Sequence, residues 1–370
     1  MSPALTSSLK DVQHTLLLTT VHNLHDAPNF LAAPVSTAAR TSTQGLRIVI
    51  LSPFFDLPPD SGSGSDGTSR GLSRTAHWDD VQRLLTFVYV QATKVAQDLG
   101  NILLDIDVLL RGTAVADAFP ERVALEAERI FSGAPDITIL AYMPLLSASV
   151  PAVVPPDTHL PALPAALQKR SEEIIPLEPD VHSHSAPPAS PPVDPSVPPL
   201  YPVVALGGTF DHLHAGHKIL LSMGAWIARR KLIVGITGDA LLGKKEHRSV
   251  LEPLPVRTAR TRTFLELFRP GIVHDLVPIN DVFGPTGWDA DIQALVVSKE
   301  TLSGASSIAK RREEQALPPL RTFVIDVISA TEASVDAEDA AVLRTAKMSS
   351  TYIREWIVKN QKQETQASAS

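Results

Sequence analysis

The chain has 370 residues, 44% of them hydrophobic and 20% charged, with a formal net charge of −7. That length suffices for two cores, and the acidic balance excludes a broad electrostatic footprint for nucleic acid or an anionic membrane. With no cysteine, disulfides, thiolate catalysis and cysteine-ligated zinc are excluded as well.

The N-terminus, MSPALTSSLKDVQHTLLLTT, has no basic n-region, and the first arginine is Arg40. It reads as neither a signal peptide nor a transit peptide. No apolar run approaches the roughly 20 residues needed to span a bilayer. The expected compartment is the cytosol, with the nucleus open to it.

The first part alternates strand and helix patterns. HTLLLTTV (14–21) and LRIVILSP (46–53) are short apolar runs rich in β-branched residues, and a Gly/Ser/Pro-rich loop follows the second. Val81, Leu84, Leu85, Val88, Ala92, Val95 and Leu99 then keep helical spacing up to Gly100. ILLDIDVLL (102–110) predicts a strand. A helix between Pro120 and Gly133 and a strand DITILAYM complete the pattern. Residues 1–150 are therefore expected to form a smaller α/β domain, in which no catalytic constellation is visible. Prolines crowd 151–200 and predict an extended linker.

Residues 201–362 alternate again. Strand YPVVAL leads to a doubled glycine and a helix from about His217, and strand KLIVGIT precedes a basic loop. A helix carrying Phe264, Leu265 and Phe268 follows. IVHDLVPI, ALVVS and RTFVIDVI predict three more strands, the last two separated by a helix around Ile308–Gln315. SSTYIREWIVKN predicts a closing helix with Ile353, Trp356 and Ile357 on one face, and 363–370 a disordered tail. Such successive units predict a Rossmann-like, doubly wound parallel sheet, whose ligands bind beyond the carboxyl ends of its strands.

Three stretches could carry chemistry. ALGGTFDHLHAGHK (205–218) places Gly207–Gly208 between a strand and a helix start, with His212, His214 and His217 close by. A metal site is one reading, with imidazoles as the ligands, but Gly216 makes a helical ligand pair a poor prospect. A plain strand-to-helix turn is a second. A phosphate cradle is the favoured third, because a helix N-terminus offers N–H groups and partial positive charge, and glycine admits close approach. GDALLGKK (238–245) nearly matches a phosphate-binding loop. Lys245 stands where a magnesium-binding hydroxyl belongs, so a P-loop is rejected. An anion site on Lys244 and Lys245 and a solvated basic loop both remain open. RTAKMSSTYIR (344–354) opens a helix with Ser349 as its expected N-cap, and Ser349, Ser350 and Thr351 could equally hold phosphates.

Together these residues resemble the nucleotidyltransferase superfamily with an HxGH signature, here His214–Ala215–Gly216–His217. Within it, GGTFDHLHAGHK, the double-lysine loop, FGPTGWDADIQALVVSKET, Gly304–Ile308–Arg312 and MSST fit, in order, the eukaryotic-type phosphopantetheine adenylyltransferases. The resemblance covers about 201–360. It implies transfer of adenylyl from ATP to 4′-phosphopantetheine, giving dephospho-CoA and pyrophosphate in coenzyme A synthesis. A single activity is expected, with no dephospho-CoA kinase domain. It implies His217 as the donor to the α-phosphate and Thr209 as the residue orienting the acceptor phosphate, with Lys245 and, less directly, Lys244 neutralising it. Gly207, Gly208, Phe210, His214, Ser349, Ser350 and Thr351 would contact ATP, and Arg257 and Lys299 are further candidates. Magnesium would arrive on the triphosphate, with no protein metal cage. SKET (298–301) replaces an arginine-rich strand end of bacterial members. A cytidylyltransferase acting on a phosphoalcohol is the nearest alternative, and an aminoacyl-tRNA synthetase a more distant one. Residues 1–150 could tether other enzymes of coenzyme A synthesis.

Overall fold

The computed structural model describes residues 9–21, 23–56, 73–112, 121–133, 173–177, 197–325 and 349–369. The expected strand DITILAYM, most of the proline-rich stretch, the second half of RTFVIDVI and Arg344–Met348 lie outside them. The chain divides into two compact units. One is drawn from Met1–Ser73 and Arg83–Pro192, the other from Arg74–Gln82, Val193–Ala333 and Lys347–Ser370.

In the first unit, β1 (Val12–Thr20), α1 (Ala32–Arg40), β2 (Ser42–Leu51), α2 (Trp78–Asp98), β3 (Asp105–Arg111), α3 (Glu121–Glu126), β4 (Arg129–Gly133) and β5 (Ile174–Leu177) follow one another. The sheet is parallel throughout, in the order β3-β2-β1-β4-β5. Its core is built by Leu16, Leu18, Ile48, Ile50, Val108 and Leu110, all buried. Buried Tyr89 of α2 accepts the Val108 N–H at 3.1 Å, which ties that helix to β3.

Three sequence expectations change here. The helix between Pro120 and Gly133 is short, because Arg129–Gly133 is taken into the sheet beside β1. Ile174–Leu177 interrupts the expected linker with a strand, whose Ile174 and Leu177 are buried against β4. Arg74–Gln82, which the sequence reading places in the first domain and which includes the start of α2, belongs to the second unit. There the Arg74 guanidinium lies 4.1 Å over the Trp226 ring, and Trp226 Nε1 donates to the Arg74 carbonyl at 3.0 Å.

The second unit contains β6 (Tyr201–Gly208), α4 (Ala215–Ile227), β7 (Ala228–Thr237), α5 (Leu254–Phe268), β8 (Val273–Ile279), β9 (Ala294–Ser298), α6 (Leu302–Glu314), β10 (Arg321–Ile325) and α7 (Ser350–Ala369). Its strands are parallel, in the order β10-β9-β6-β7-β8. Numbered from β6 and read from the β8 edge, that is third, second, first, fourth, fifth, the same winding as the first sheet. One face packs Val203, Ala205, Ile233, Leu295 and Val297 against Ile308 of α6. The other brings Leu206 and Leu232 against Gly224 of α4, where a Cβ would lie 2.4 Å from Leu206 Cδ2. Helices on both faces and a reversal between β6 and β9 make a Rossmann-like doubly wound sheet. The helix α7 runs to Ala369, past the point where the tail was expected to lose structure. Its Gln, Lys, Glu and Ala residues are compatible with helix.

Arg312 of α6 is 1% exposed. Its Nε donates to the Pro318 carbonyl at 2.7 Å, and its Nη1 donates to the carbonyls of Thr286 and Asp289 at 2.7 and 2.9 Å. It thereby fixes the loop before β9 and the turn before β10. Replacing Arg312 by Met removes all three bonds and is expected to cost about 2 kcal/mol or more. A urea midpoint equal to that of the wild type would contradict this.

Candidate active site

β6 delivers the chain to the carboxyl end of the sheet, beside the reversal between β6 and β9. Gly207 is exposed there. The glycines themselves do not supply the left-handed turn. That conformation falls on Phe210 (φ 52°) and His212 (φ 44°), one on each side of Asp211. Gly208 is needed for a different reason: a Cβ on it would lie 3.0 Å from the Phe210 ring. Phe210 is fully buried and also packs on His217, with ring centroids 5.3 Å apart. Its side chain supports the turn from within the fold.

Left-handed backbone at non-glycine residues costs on the order of 1–3 kcal/mol each, and the interactions around Asp211 hold it in place. The Asp211 side chain is wholly buried. Its Oδ1 accepts the Glu252 N–H at 2.9 Å, and its Oδ2 accepts from Arg354 Nη1 at 2.5 Å. The next residue, His212, donates its backbone N–H to Glu252 Oε2 at 2.8 Å. The His212 ring turns its Nε2 to the Val250 carbonyl at 2.8 Å. His212 is thus spent on the loop, and the three histidines do not converge on one metal position.

His214 is the N-cap of α4. Its backbone is extended, and its side chain makes no capping bond to the first N–H groups of the helix. His217 follows within the first turn. The two imidazoles stack, with centroids 3.9 Å apart and planes 25° apart. The Nδ1 atoms of both are buried without a hydrogen-bond partner among the described residues. Burial lowers the His214 pKa to about 4, helped by the charges of His212 and Lys218 and opposed by Asp211 and Glu300. Burial also lowers the His217 pKa well below its ordinary value, with His214 and the Lys245 charge acting the same way. Burial thus favours the neutral form of both rings, in which each carries one N–H and one lone pair.

The loop after β7 begins with a 3-10 turn, Asp239–Leu242, anchored by buried Leu242, and leaves Lys244 and Lys245 exposed. Arg257 of α5 lies beneath this loop and is fully buried. Its Nη1 donates to the carbonyls of Thr209 and Thr237 at 2.7 and 2.9 Å, its Nε donates to that of Glu252 at 2.9 Å, and its Nη2 meets Asp239 at 2.5 Å. Arg257 therefore sets the position of Thr209, a half-buried residue, and does not present its guanidinium to a ligand.

Two further elements reach the same end of the sheet. Ser349 Oγ accepts the Tyr352 N–H at 3.3 Å, which makes it the N-cap of α7, and Ser350 Oγ donates to the Asp211 carbonyl at 2.8 Å. Thr351 is exposed at the helix start. After β9, Ser298 and Thr301 form a reciprocal capping box around exposed Lys299. The neighbouring Glu300 is close enough for its charge to act on His214. A separate cavity of about 330 Å³, between α6 and β9–β10, contains none of the phosphate-facing candidates.

Sequence reasoning passed over Asp211, Glu252 and Arg354. Asp211 lies inside the quoted motif, and Arg354 one helical turn beyond Ser350, where i and i+4 share a face. Glu252 carries no local signal. Functionally, the arrangement offers imidazole hydrogen-bonding groups, a helix N-terminus and exposed lysines at one end of the sheet.

Residues 205–356 match the model of the cytidylyltransferase-like family. A phosphopantetheine adenylyltransferase of Saccharomyces cerevisiae is 44% identical over 152 residues, which are 41% of this chain and 47% of that protein. The chain thus spans about half the length of this fungal relative. A phosphopantetheine adenylyltransferase of Pyrobaculum aerophilum is 35% identical over 125 residues, covering 34% of this chain and 79% of the archaeal one. A crystal structure of a protein of unknown function from Archaeoglobus fulgidus aligns with 35% of this chain and 92% of its own, at 32% identity and a TM-score of 0.31. With the nucleotidyltransferase motifs of the second unit in place and most of the archaeal relative covered, the chain belongs to the phosphopantetheine adenylyltransferase family.

Proposed function

We propose that the second unit transfers the adenylyl group of ATP to 4′-phosphopantetheine, forming dephospho-CoA and pyrophosphate by in-line attack of the acceptor phosphate on the α-phosphate. The observation that carries this reading is the stacked, neutral His214–His217 pair at the start of α4, close enough to Lys245 to feel its charge. A phosphate monoester is already a nucleophile at neutral pH, since its second pKa is about 6. No base is required, and catalysis reduces to holding two anions in line and stabilising charge on the transferred phosphoryl group.

In this reading His217 donates to an α-phosphate oxygen, and His214 and the exposed Gly207 edge border the triphosphate. Ser350 and Thr351, with the N–H groups that open α7, take the β- and γ-phosphates. Thr209, held by Arg257, orients the acceptor phosphate, and Lys245 with Lys244 neutralises it. Lys299 borders the donor side. Magnesium supplies charge on the triphosphate and requires no protein ligand of its own. We read a single activity, because GDALLGKK lacks the hydroxyl of a P-loop. The first unit is proposed as a tether for partner enzymes of the same pathway. The family match itself keeps a second acceptor class in view, a phosphoalcohol receiving a cytidylyl group.

Pyrophosphate release from ATP with 4′-phosphopantetheine tests the reading, and turnover only with CTP and phosphocholine would overturn it. His217→Ala is expected to lower kcat on the order of 10²–10³, while Lys245→Ala raises KM for the acceptor. Because His214 is held near pKa 4, an acid limb near pH 6 in kcat/KM belongs to the acceptor phosphate. His214→Gln should keep that limb at the same pH. A limb displaced in the variant would assign it to the imidazole.

A further inference from the structure

The proposed reaction requires three segments distant in sequence to meet: the HxGH turn, the lysine loop and the start of α7. One side chain touches all three. Arg354, 2% exposed, directs Nη1 to Asp211 Oδ2 at 2.5 Å, Nε to the Glu246 carbonyl at 2.9 Å, and Nη2 to Thr351 Oγ1 at 3.1 Å. Asp211 is the hub on the other side. Besides Arg354 it receives the Glu252 N–H on its carboxylate and the Ser350 hydroxyl on its carbonyl. Glu246 immediately follows Lys245, and Thr351 immediately follows Ser350. The guanidinium therefore lies one residue from a proposed acceptor contact and one residue from a proposed donor contact.

We propose that Arg354 is a positioning residue that couples the donor-phosphate and acceptor-phosphate subsites. The proposal rests on the adenylyltransferase reading. A guanidinium is planar and presents its N–H groups at fixed angles, so three acceptors bonded to it are held in one mutual geometry. The lysine loop is exposed along 243–249, and ordering it costs conformational entropy when the acceptor binds. Triphosphate at Ser350 and Thr351 fixes the start of α7, and through Arg354 it fixes the Glu246 carbonyl and the neighbouring Lys245. The second ligand then meets a loop whose ordering is already complete, and this appears as positive coupling that is the same in either order of binding. Lysine at this position can still pair with Asp211, but as a point charge it cannot reach three acceptors in these directions.

The test uses the full chain. Calorimetry gives the affinity for 4′-phosphopantetheine with and without an ATP analogue whose α,β-bridging oxygen is replaced by methylene, which prevents transfer. In the wild type the analogue is expected to tighten acceptor binding by about 5-fold or more, within the usual range of such couplings. In Arg354→Lys the factor falls to about 1, each ligand alone binds within about 3-fold of wild type, and kcat drops much further than either KM rises. Asp211→Asn, which keeps the shape of the carboxylate and removes its charge, is the second variant and should lose the coupling as well. A folded Arg354→Lys or Asp211→Asn chain with undiminished coupling overturns the proposal. So does a wild-type chain that turns over but shows no coupling. A wild-type chain that releases no pyrophosphate overturns the functional reading instead.

Discussion

The buried carboxylate of Asp211 is the constraint on which the rest of the site depends. It sits between two left-handed residues, Phe210 and His212, in a backbone conformation that L-amino acids avoid. A buried charge is tolerated only with a partner and hydrogen bonds, and Asp211 has Arg354 and the Glu252 N–H. Each of those partners belongs to a different segment. Satisfying one carboxylate thus brings together the turn after β6, the loop before α5 and the first turn of α7. The turn in turn sets the entry to α4, and with it the stacked imidazoles.

The buried arginines divide the labour of holding this end of the sheet. Arg257 works from below, tying the carbonyls of Thr209, Thr237 and Glu252, and Arg354 works across the top. Arg312 does the same for loops at the β9–β10 edge. Arg257 and Arg312 each satisfy several main-chain carbonyls, whereas Arg354 bonds one carbonyl, a carboxylate and a hydroxyl. Lys244 and Lys245 stay exposed beside them, as does Arg248, and a lysine is a compact, flexible point charge.

The sequence made the architecture of the second unit legible, because its central strands β6, β7 and β9 are apolar runs largely buried and its helices keep regular spacing. The HxGH turn and the hydroxyl-rich helix start were legible from residue type alone. The roles of individual residues were harder to read. Phe210 stands inside a phosphate motif yet is consumed by packing on Gly208 and His217, and Arg257 looks like a free cation until its four partners are seen. Asp211, Glu252 and Arg354 act through contacts 41 to 143 residues apart in sequence, a separation no local pattern encodes. In the first unit Arg129–Gly133 reads as the end of a helix, because only pairing with β1 makes it a strand.

Both sheets share one strand order, so the chain contains a comparison of its own. Where β6 ends in Gly207 and Gly208, with the first open to solvent, β1 ends in Thr19 and Thr20 followed by Val21, all buried. β-branched side chains occupy the space that a phosphate would need to approach the main chain. One strand order thus carries two different strand ends, one open at a glycine and one closed by buried β-branched side chains.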